Sequence, residues 1–393
     1  MKLESPRLPV NYVATGEGLD ALLADLASCS QIGLDAERAS GFRYSQRAYL
    51  IQISTRQSIY LVDPESEQLP TGWNQLLASA MAPLTWILHS ATQDLPCLAE
   101  LGITPTSIAD TELAARFVGV ERFGLASLAQ QFLDLELEKE HSAADWSVRP
   151  LSPSMQNYAA LDVDVLFELW DSLEAALAGS EKRAWLQQEL ERLVGFSPRP
   201  QSEQPWRGLP GMAKIRDLPR QQIAASLWVA RDRLAQELDV APGRLIPDRA
   251  IAAVVAHPPA SKRELANNRE FHGRASRSKL DTWWQAIADA PNFEITPLPP
   301  DPNHVPNHRS WDKRFPEAHA RLSEVRPKLL DLATSHSLSI ELLLTPDTLR
   351  RVCFNPAQDL EEQLRTLGAR SWQIELCAPI ISETFANLEP SEG

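Results

Sequence analysis

The chain is short of cysteine, of long apolar runs and of basic charge, and each shortage removes a class of protein. Four cysteines (Cys29, Cys97, Cys353 and Cys377) are scattered over 393 residues. None forms a C-x-x-C pair and none stands at zinc spacing from a histidine, so they read as buried reduced thiols. No apolar stretch approaches the roughly 18–20 residues that a bilayer span needs. The opening MKLESPRLPVNY lacks the apolar core of a signal peptide, so a cytoplasmic protein with no membrane partner is expected. Net charge is −14. That argues against a surface coated for nucleic-acid binding. It leaves room for basic charge gathered in one segment, and for a site that holds cations with carboxylates.

What is present suffices for ordinary globular cores: 44% of residues are apolar, too many for a disordered chain. Two proline-rich polar stretches, residues 196–210 and 291–310, read as linkers. They divide the chain into expected domains at 1–195, 207–290 and 309–385. In the first, QIGLDAE, AYLIQIST and SIYLVDP are short strand-like runs that predict an antiparallel meander. A helical WNQLLASAM then leads to the strand LTWILHS, a helix from about Thr92 to Leu101, and mostly helical chain to Leu193. This order predicts an α/β domain with a mixed sheet and helices packed on it. The second and third pieces show three-to-four-residue apolar spacing, which predicts two all-α domains.

Asp35 and Glu37 stand two apart in the first strand, so they share a face. Two adjacent carboxylates repel and invite a cation, although two solvated acids on an open face would show the same spacing. Asp94 follows the strand LTWILHS, where ligand groups gather in α/β sheets. An acid favoured by the positive end of a helix would also stand there. Tyr158 and Asp162 are four apart in a predicted helix and share its face. Asp164, about 200° round the helix from Asp162, faces away.

In this order, LDAER, LHSATQDLPCL and YAALDVDVL resemble the three motifs of DEDDy exonucleases, which have a ribonuclease H-like fold. RAYLIQIS, IADTELAARF and DWSVRPLS are similar to ribonuclease D sequence as well. The resemblance covers roughly residues 10–195. It implies a 3′-to-5′ exonuclease that releases 5′-mononucleotides. It also implies that Asp35, Glu37, Asp94 and Asp162 hold two divalent cations, Mg²⁺ or Mn²⁺, with Tyr158 aligning the attacking water. Hard oxygen ligands suit those ions. Many relatives carry an aromatic after the D-x-E glutamate, where this chain has Arg38. That position is not a ligand, so the difference bears on substrate contact. His89 is either a substrate contact or a structural histidine. Gln52 either contacts substrate or lines the cleft. Trp146 is expected to pack against the catalytic domain.

SLWVARDRLAQELDVAPGRLIPDRAIAAV and SKRELANN resemble an HRDC domain, a helical nucleic-acid-binding module. Residues 207–290 carry fourteen Lys or Arg against nine Asp or Glu. Lys262, Arg263, Arg274, Arg277 and Lys279 concentrate that charge and suit a phosphate backbone; a solvated charged face is the plainer alternative. RPKLLDLATSHSLSIELLLTPDTLRRVCF more weakly resembles a second HRDC-like domain. Together these features imply a ribonuclease D-like exoribonuclease acting on RNA, with tRNA precursors as the expected substrate. A DNA-directed exonuclease and a catalytically silent nucleic-acid-binding protein are the alternatives. The presence of all four carboxylates argues against the silent protein.

Overall fold

A computed structural model describes residues 2–137, 144–198, 200, 202–271, 273–297 and 303–388. Its strands are β1 Lys2–Leu3, β2 Val10–Val13, β3 Gln31–Arg38, β4 Ala48–Ser54, β5 Ile59–Val62, β6 Thr85–Leu88, β7 Ser107–Asp110 and β8 Glu136–Leu137. Six of them form one mixed sheet in the order β2-β5-β4-β3-β6-β7, and β1 pairs with β8 apart from it. The expected meander is β3-β4-β5, antiparallel throughout. Two parallel edge strands, β2 beside β5 and β7 beside β6, were not foreseen. Each is only four residues long, too short for its alternation to stand out.

Strand β6 runs parallel to β3, with Gly33 opposite Ile87. The carboxyl ends of both strands therefore lie at the same edge of the sheet. That geometry brings the chain after Leu88 next to Asp35 and Glu37.

The helices of this domain are α1 Gly16–Leu26, α2 Trp73–Met81, α3 Leu95–Ala99, α4 Thr111–Val118, α5 Leu125–Leu133, α6 Pro153–Asp164, α7 Leu166–Leu177 and α8 Lys182–Val194. The helix expected from Thr92 is shorter than predicted and begins at Leu95, after a single 3₁₀ turn. Pro96 fits at the start of α3, where a missing N–H costs nothing. Helix α6 starts at Pro153, with the Ser152 side chain accepting a bond from the Met155 amide. It lies across β3, β4 and β5. Gly33 makes that approach possible. A β-carbon there would stand 2.2 Å from Ser54 Oγ and 3.4 Å from the Val163 carbonyl of α6. Ser54 Oγ instead donates to that carbonyl at 2.9 Å.

The second piece contains α9 Leu218–Leu238, α10 Pro242–Leu245, α11 Asp248–Ala256, α12 Lys262–Asn267, α13 Arg274–Ser278 and α14 Leu280–Asp289. The third contains α15 Trp311–Arg314, α16 Pro316–Ser335, α17 Ile340–Leu343, α18 Pro346–Phe354, α19 Leu360–Thr366 and α20 Ser371–Leu388. Both run through a long helix, a four-residue helix and a nine-residue helix in the same order. No described helix is long and apolar enough to cross a membrane.

The pieces are joined differently. Trp206, Leu227, Ile251 and Trp283 belong to a core of the second piece alone. The first and third share one continuous core. At that junction Trp185 stacks on Trp372 with ring centroids 5.1 Å apart. The buried Glu189 carboxylate takes bonds from Arg370 Nε at 2.5 Å and Trp372 Nε1 at 2.9 Å. The second piece instead grips the loop that leaves β3. Asp239 Oδ1 accepts the Tyr44 and Ser45 amides at 3.2 Å, and Arg244 Nε donates to the Gly41 carbonyl at 2.6 Å.

Candidate active site

Strand β3 sends Gly33, Asp35 and Glu37 to one face by simple alternation, while Ile32, Leu34 and Ala36 are buried on the other. Helix α6 crosses the first face and contributes Asp162 one turn after Tyr158. One carboxylate oxygen from each of Asp35, Glu37 and Asp162 lies within 4.8 Å of the others. Asp94 completes the group through a hydrogen bond with Asp35. It sits at the amino end of α3 without capping it, so its carboxylate serves the cluster and not the helix. Asp35, Asp94, Tyr158 and Asp162 line a cleft of about 200 Å³ together with His89 and Gln93. Asp164 faces away as expected and pairs with Arg7 at 2.8 Å.

Burial of like charges sets the electrostatics. Desolvation raises Asp35, and raises Asp94 and Asp162 well above the usual carboxylate range, with repulsion from Asp35 adding to both of the latter. Desolvation and then the charges of Asp35 and Asp162 push Glu37 up to about 9. Arg38 is the one cation that opposes the shift at Asp35, Glu37 and Asp94. A single guanidinium cannot balance four carboxylates. The donor set is all oxygen and strongly anionic, and it fits hard divalent cations. Burial also raises the Tyr158 phenol, which hydrogen-bonds Asp162.

Three supports hold the cleft in shape. Asp110 caps α4 through the Leu113 amide at 3.0 Å and also accepts the Ala91 amide at 2.8 Å and the Ser90 amide at 3.3 Å. It thereby straps the turn before Asp94, where Ser90 adopts a left-handed φ of 64°. Arg149 clamps Asp63 through Nη2 at 2.6 Å and Nε at 2.8 Å, which fixes the DWSVRP loop. Trp146 in that loop is buried as expected, its ring 6.2 Å from that of Tyr158. Sequence reasoning missed Asp110, although an acid just ahead of TELAARF is a helix N-cap signal.

Two expected contacts are changed. Gln52 lies opposite Asp35 in the sheet but is fully buried, and its amide nitrogen and oxygen have no partner. It does not reach the cleft, because α6 lies over β4. Lys262 is tied to Asp281 in an ion pair, so part of its charge is already used. Arg263, Arg274, Arg277 and Lys279 are exposed, and no ion pair is formed by any of them among the described residues. His89 lines the cleft, with Nδ1 2.9 Å from Thr111 Oγ1. Desolvation lowers its pKa to about 4, so the ring is neutral at physiological pH.

Comparison with known proteins agrees with this architecture. The 3′-5′ exonuclease family profile matches residues 10–178, the HRDC domain profile matches 220–287, and the profile of a 3′ to 5′ exonuclease C-terminal domain matches 304–385. Ribonuclease D of Desulfotalea psychrophila is 31% identical over 295 residues, 74% of this chain and 78% of that protein. The exosome complex exonuclease RRP6 of Saccharomyces cerevisiae is 30% identical over 316 residues, and the match spans only 42% of its length. A crystal structure of a Bifidobacterium adolescentis protein superposes with a TM-score of 0.86 at 33% identity, covering 98% of this chain and 99% of that one. The Escherichia coli RNase D crystal structure shares the fold, with a TM-score of 0.67 at 22% identity over 97% of this chain and 99% of that one. The chain belongs to the ribonuclease D family and is a 3′-to-5′ exoribonuclease that uses divalent metal.

Proposed function

We propose that Asp35, Glu37, Asp94 and Asp162 hold two divalent cations, Mg²⁺ or Mn²⁺, and that the chain trims 3′ ends of structured RNA such as tRNA precursors. The observation that carries the metal assignment is one half-buried carboxylate cluster, drawn from β3, α6 and the turn after β6, with too little protein cation beside it. Bound cations would supply the Lewis acidity that activates water and offsets charge on the scissile phosphate and the leaving 3′ oxygen.

The chain's own residues divide the remaining work. Tyr158 keeps its proton, because burial and the neighbouring carboxylates raise its pKa. It therefore orients the attacking water by hydrogen bonding and does not act as a base. His89 is neutral and lines the cleft, so it contacts the terminal nucleotide by hydrogen bonding without adding charge. Leu125 and Leu166 give the same cleft apolar walls for that nucleotide.

The division into residues 1–195, 207–290 and 309–385 belongs to this reading. The second of these is an RNA-feeding module: it has its own core, is anchored on the loop leaving the catalytic strand, and carries Arg263, Arg274, Arg277 and Lys279. Release of mononucleotides from 3′-labelled and 5′-labelled RNA, beside matching DNA, with and without EDTA, tests the proposal. Asp35→Asn is expected to keep the fold and lose turnover. Trimming at the wild-type rate by that variant would sink the metal assignment. Equal rates on matched DNA would sink the RNA preference.

A further inference from the structure

The sheet face that carries the carboxylates also holds a polar group that the fold leaves idle. On β4, Leu50, Gln52 and Ser54 share a face with Glu37, Asp35 and Gly33, their partners on β3. All three β4 residues are fully buried. Leu61 of β5 stands on the other side of Gln52, and α6 covers the strand with a face that includes the buried Ala159, Ala160 and Val163. Gln52 is thus an amide in largely apolar surroundings. Neither its nitrogen nor its oxygen has a hydrogen-bond partner among the described residues.

An amide shut away from water with donor and acceptor both unused destabilises a fold. An apolar side chain of similar shape would fill the space without that penalty. Ser54, two residues on, shows the ordinary arrangement: its hydroxyl donates to the Val163 carbonyl at 2.9 Å. Asp35 is the polar neighbour on the other strand. Directly opposed residues on one sheet face have β-carbons about 4.5–5.5 Å apart, a gap that a glutamine amide can span. An ionised carboxylate offers about four lone-pair sites. Asp35 accepts the Ala36 amide and shares one hydrogen bond with Asp94, so sites remain for further donors.

Asp35 is also the centre of the cluster. It hydrogen-bonds Asp94, and it lies with Glu37 and Asp162 in the group whose oxygens are within 4.8 Å of one another. Its orientation therefore sets the spacing of all four acids. A neutral amide is a suitable donor there, because a charged donor would repel the cations.

We propose that Gln52 is a positioning residue of the metal site, whose amide N–H donates to Asp35 when the carboxylates hold cations. It acts through Asp35 and touches neither substrate nor metal. The inference rests on the reading of Asp35, Glu37, Asp94 and Asp162 as metal ligands. Donors behind a metal ligand fix its direction, and losing one lowers metal affinity about 10–100-fold.

The test reads the stability of the metal-free fold and the metal affinity of the full chain separately. Gln52→Met keeps the length of the side chain and removes its donors. In EDTA its urea midpoint should equal or exceed that of wild type, because an idle amide has given way to an apolar group. Its Kd for Mn²⁺, read from the EPR signal of the free ion, should rise about 10–100-fold. Gln52→Leu, a smaller side chain, should show the same loss of Mn²⁺ affinity without crowding α6. Ser54→Ala is the control. It removes the hydroxyl that ties β4 to α6, so it should lower the urea midpoint and leave the Mn²⁺ affinity unchanged. Mn²⁺ binding as tight in both Gln52 variants as in wild type would overturn the inference. So would a lower urea midpoint for Gln52→Met in EDTA, since the amide would then be bonded in the metal-free fold. An equal loss of Mn²⁺ affinity in Ser54→Ala would also overturn it, by tracing the effect to loosened packing. If the wild type bound no Mn²⁺, the metal assignment itself would fall.

Discussion

Glu37→Gln should make the metal-free protein more stable while removing its activity. Unit charges 4.8 Å apart repel by about 3.5 kcal/mol at an effective dielectric of 20. Glu37 faces Asp35 and Asp162 inside that distance, so in the folded state it retains a proton and titrates near about 9 instead of 4.5. A carboxyl with a raised folded pKa contributes fully below its unfolded value. It costs stability as pH climbs from 4.5 toward 9, because the unfolded chain has already released the proton. At about 1.4 kcal/mol per pH unit, the cost at pH 8 has a ceiling near ~5 kcal/mol. Glu37 is partly solvated, and screening brings the expected gain from Gln to about 2–4 kcal/mol. Urea unfolding in EDTA at several pH values reads it directly. The advantage of the variant should be largest near pH 8 and vanish near pH 4.5. Adding Mg²⁺ or Mn²⁺ should shrink the variant's advantage, since metal at 100 times its Kd stabilises the wild type by ~2.7 kcal/mol. A gain independent of pH, or no gain at pH 8, would refute the electrostatic account. Equal stabilisation of both proteins by metal would refute the role of Glu37 as a ligand.

The junction between the first and third pieces gives a second prediction. Glu189→Ala strands the buried Arg370 and the Trp372 indole N–H, and should cost about 3–5 kcal/mol in unfolding free energy; a loss below ~1 kcal/mol would mean the stacked tryptophans hold the junction alone. In the second piece, Arg274→Glu with Arg277→Glu should weaken RNA binding and lower the salt slope by about 1.4. Binding curves that overlay those of wild type across a salt series would show these arginines to be a solvated face.

Much of the catalytic cleft was legible because it rests on short-range periodicity. The two-residue repeat put Asp35 and Glu37 together. The four-residue repeat put Tyr158 with Asp162 and turned Asp164 toward Arg7. Misreadings came where packing over long sequence distances decides. Gln52 alternates onto the Asp35 face as a strand residue should, but nothing near it in sequence says that α6 covers it. Counting charges along residues 262–279 could not reveal that Lys262 is engaged by Asp281. Proline-rich linkers suggested three comparable units. The third nonetheless merges its core with the first, through residues such as Trp185 and Trp372 that lie far apart in the chain.

The acids of this protein separate into two kinds, and that separation is the strongest argument for where the chemistry lies. Asp63 is gripped by Arg149 and by the Tyr12 hydroxyl at 2.6 Å, which hold its pKa below the usual range. Asp164 has Arg7, Glu189 has Arg370, and Asp110, although burial raises it, has three backbone amides. The fold thus supplies donors wherever it buries a structural carboxylate, as the cost of an unpaired buried charge requires. Asp35 and Asp162 receive single hydrogen bonds, from the Ala36 amide and the Tyr158 hydroxyl, but none of Asp35, Glu37, Asp94 and Asp162 forms an ion pair among the described residues. They repel one another, Arg38 opposes that repulsion at Asp35, Glu37 and Asp94, and burial raises all four above the ordinary range. An arrangement that costs the empty fold several kcal/mol is retained at functional sites. Protons relieve that repulsion in the metal-free fold and divalent cations would relieve it in the active one, which is why exchanging a single member for its amide should separate stability from turnover.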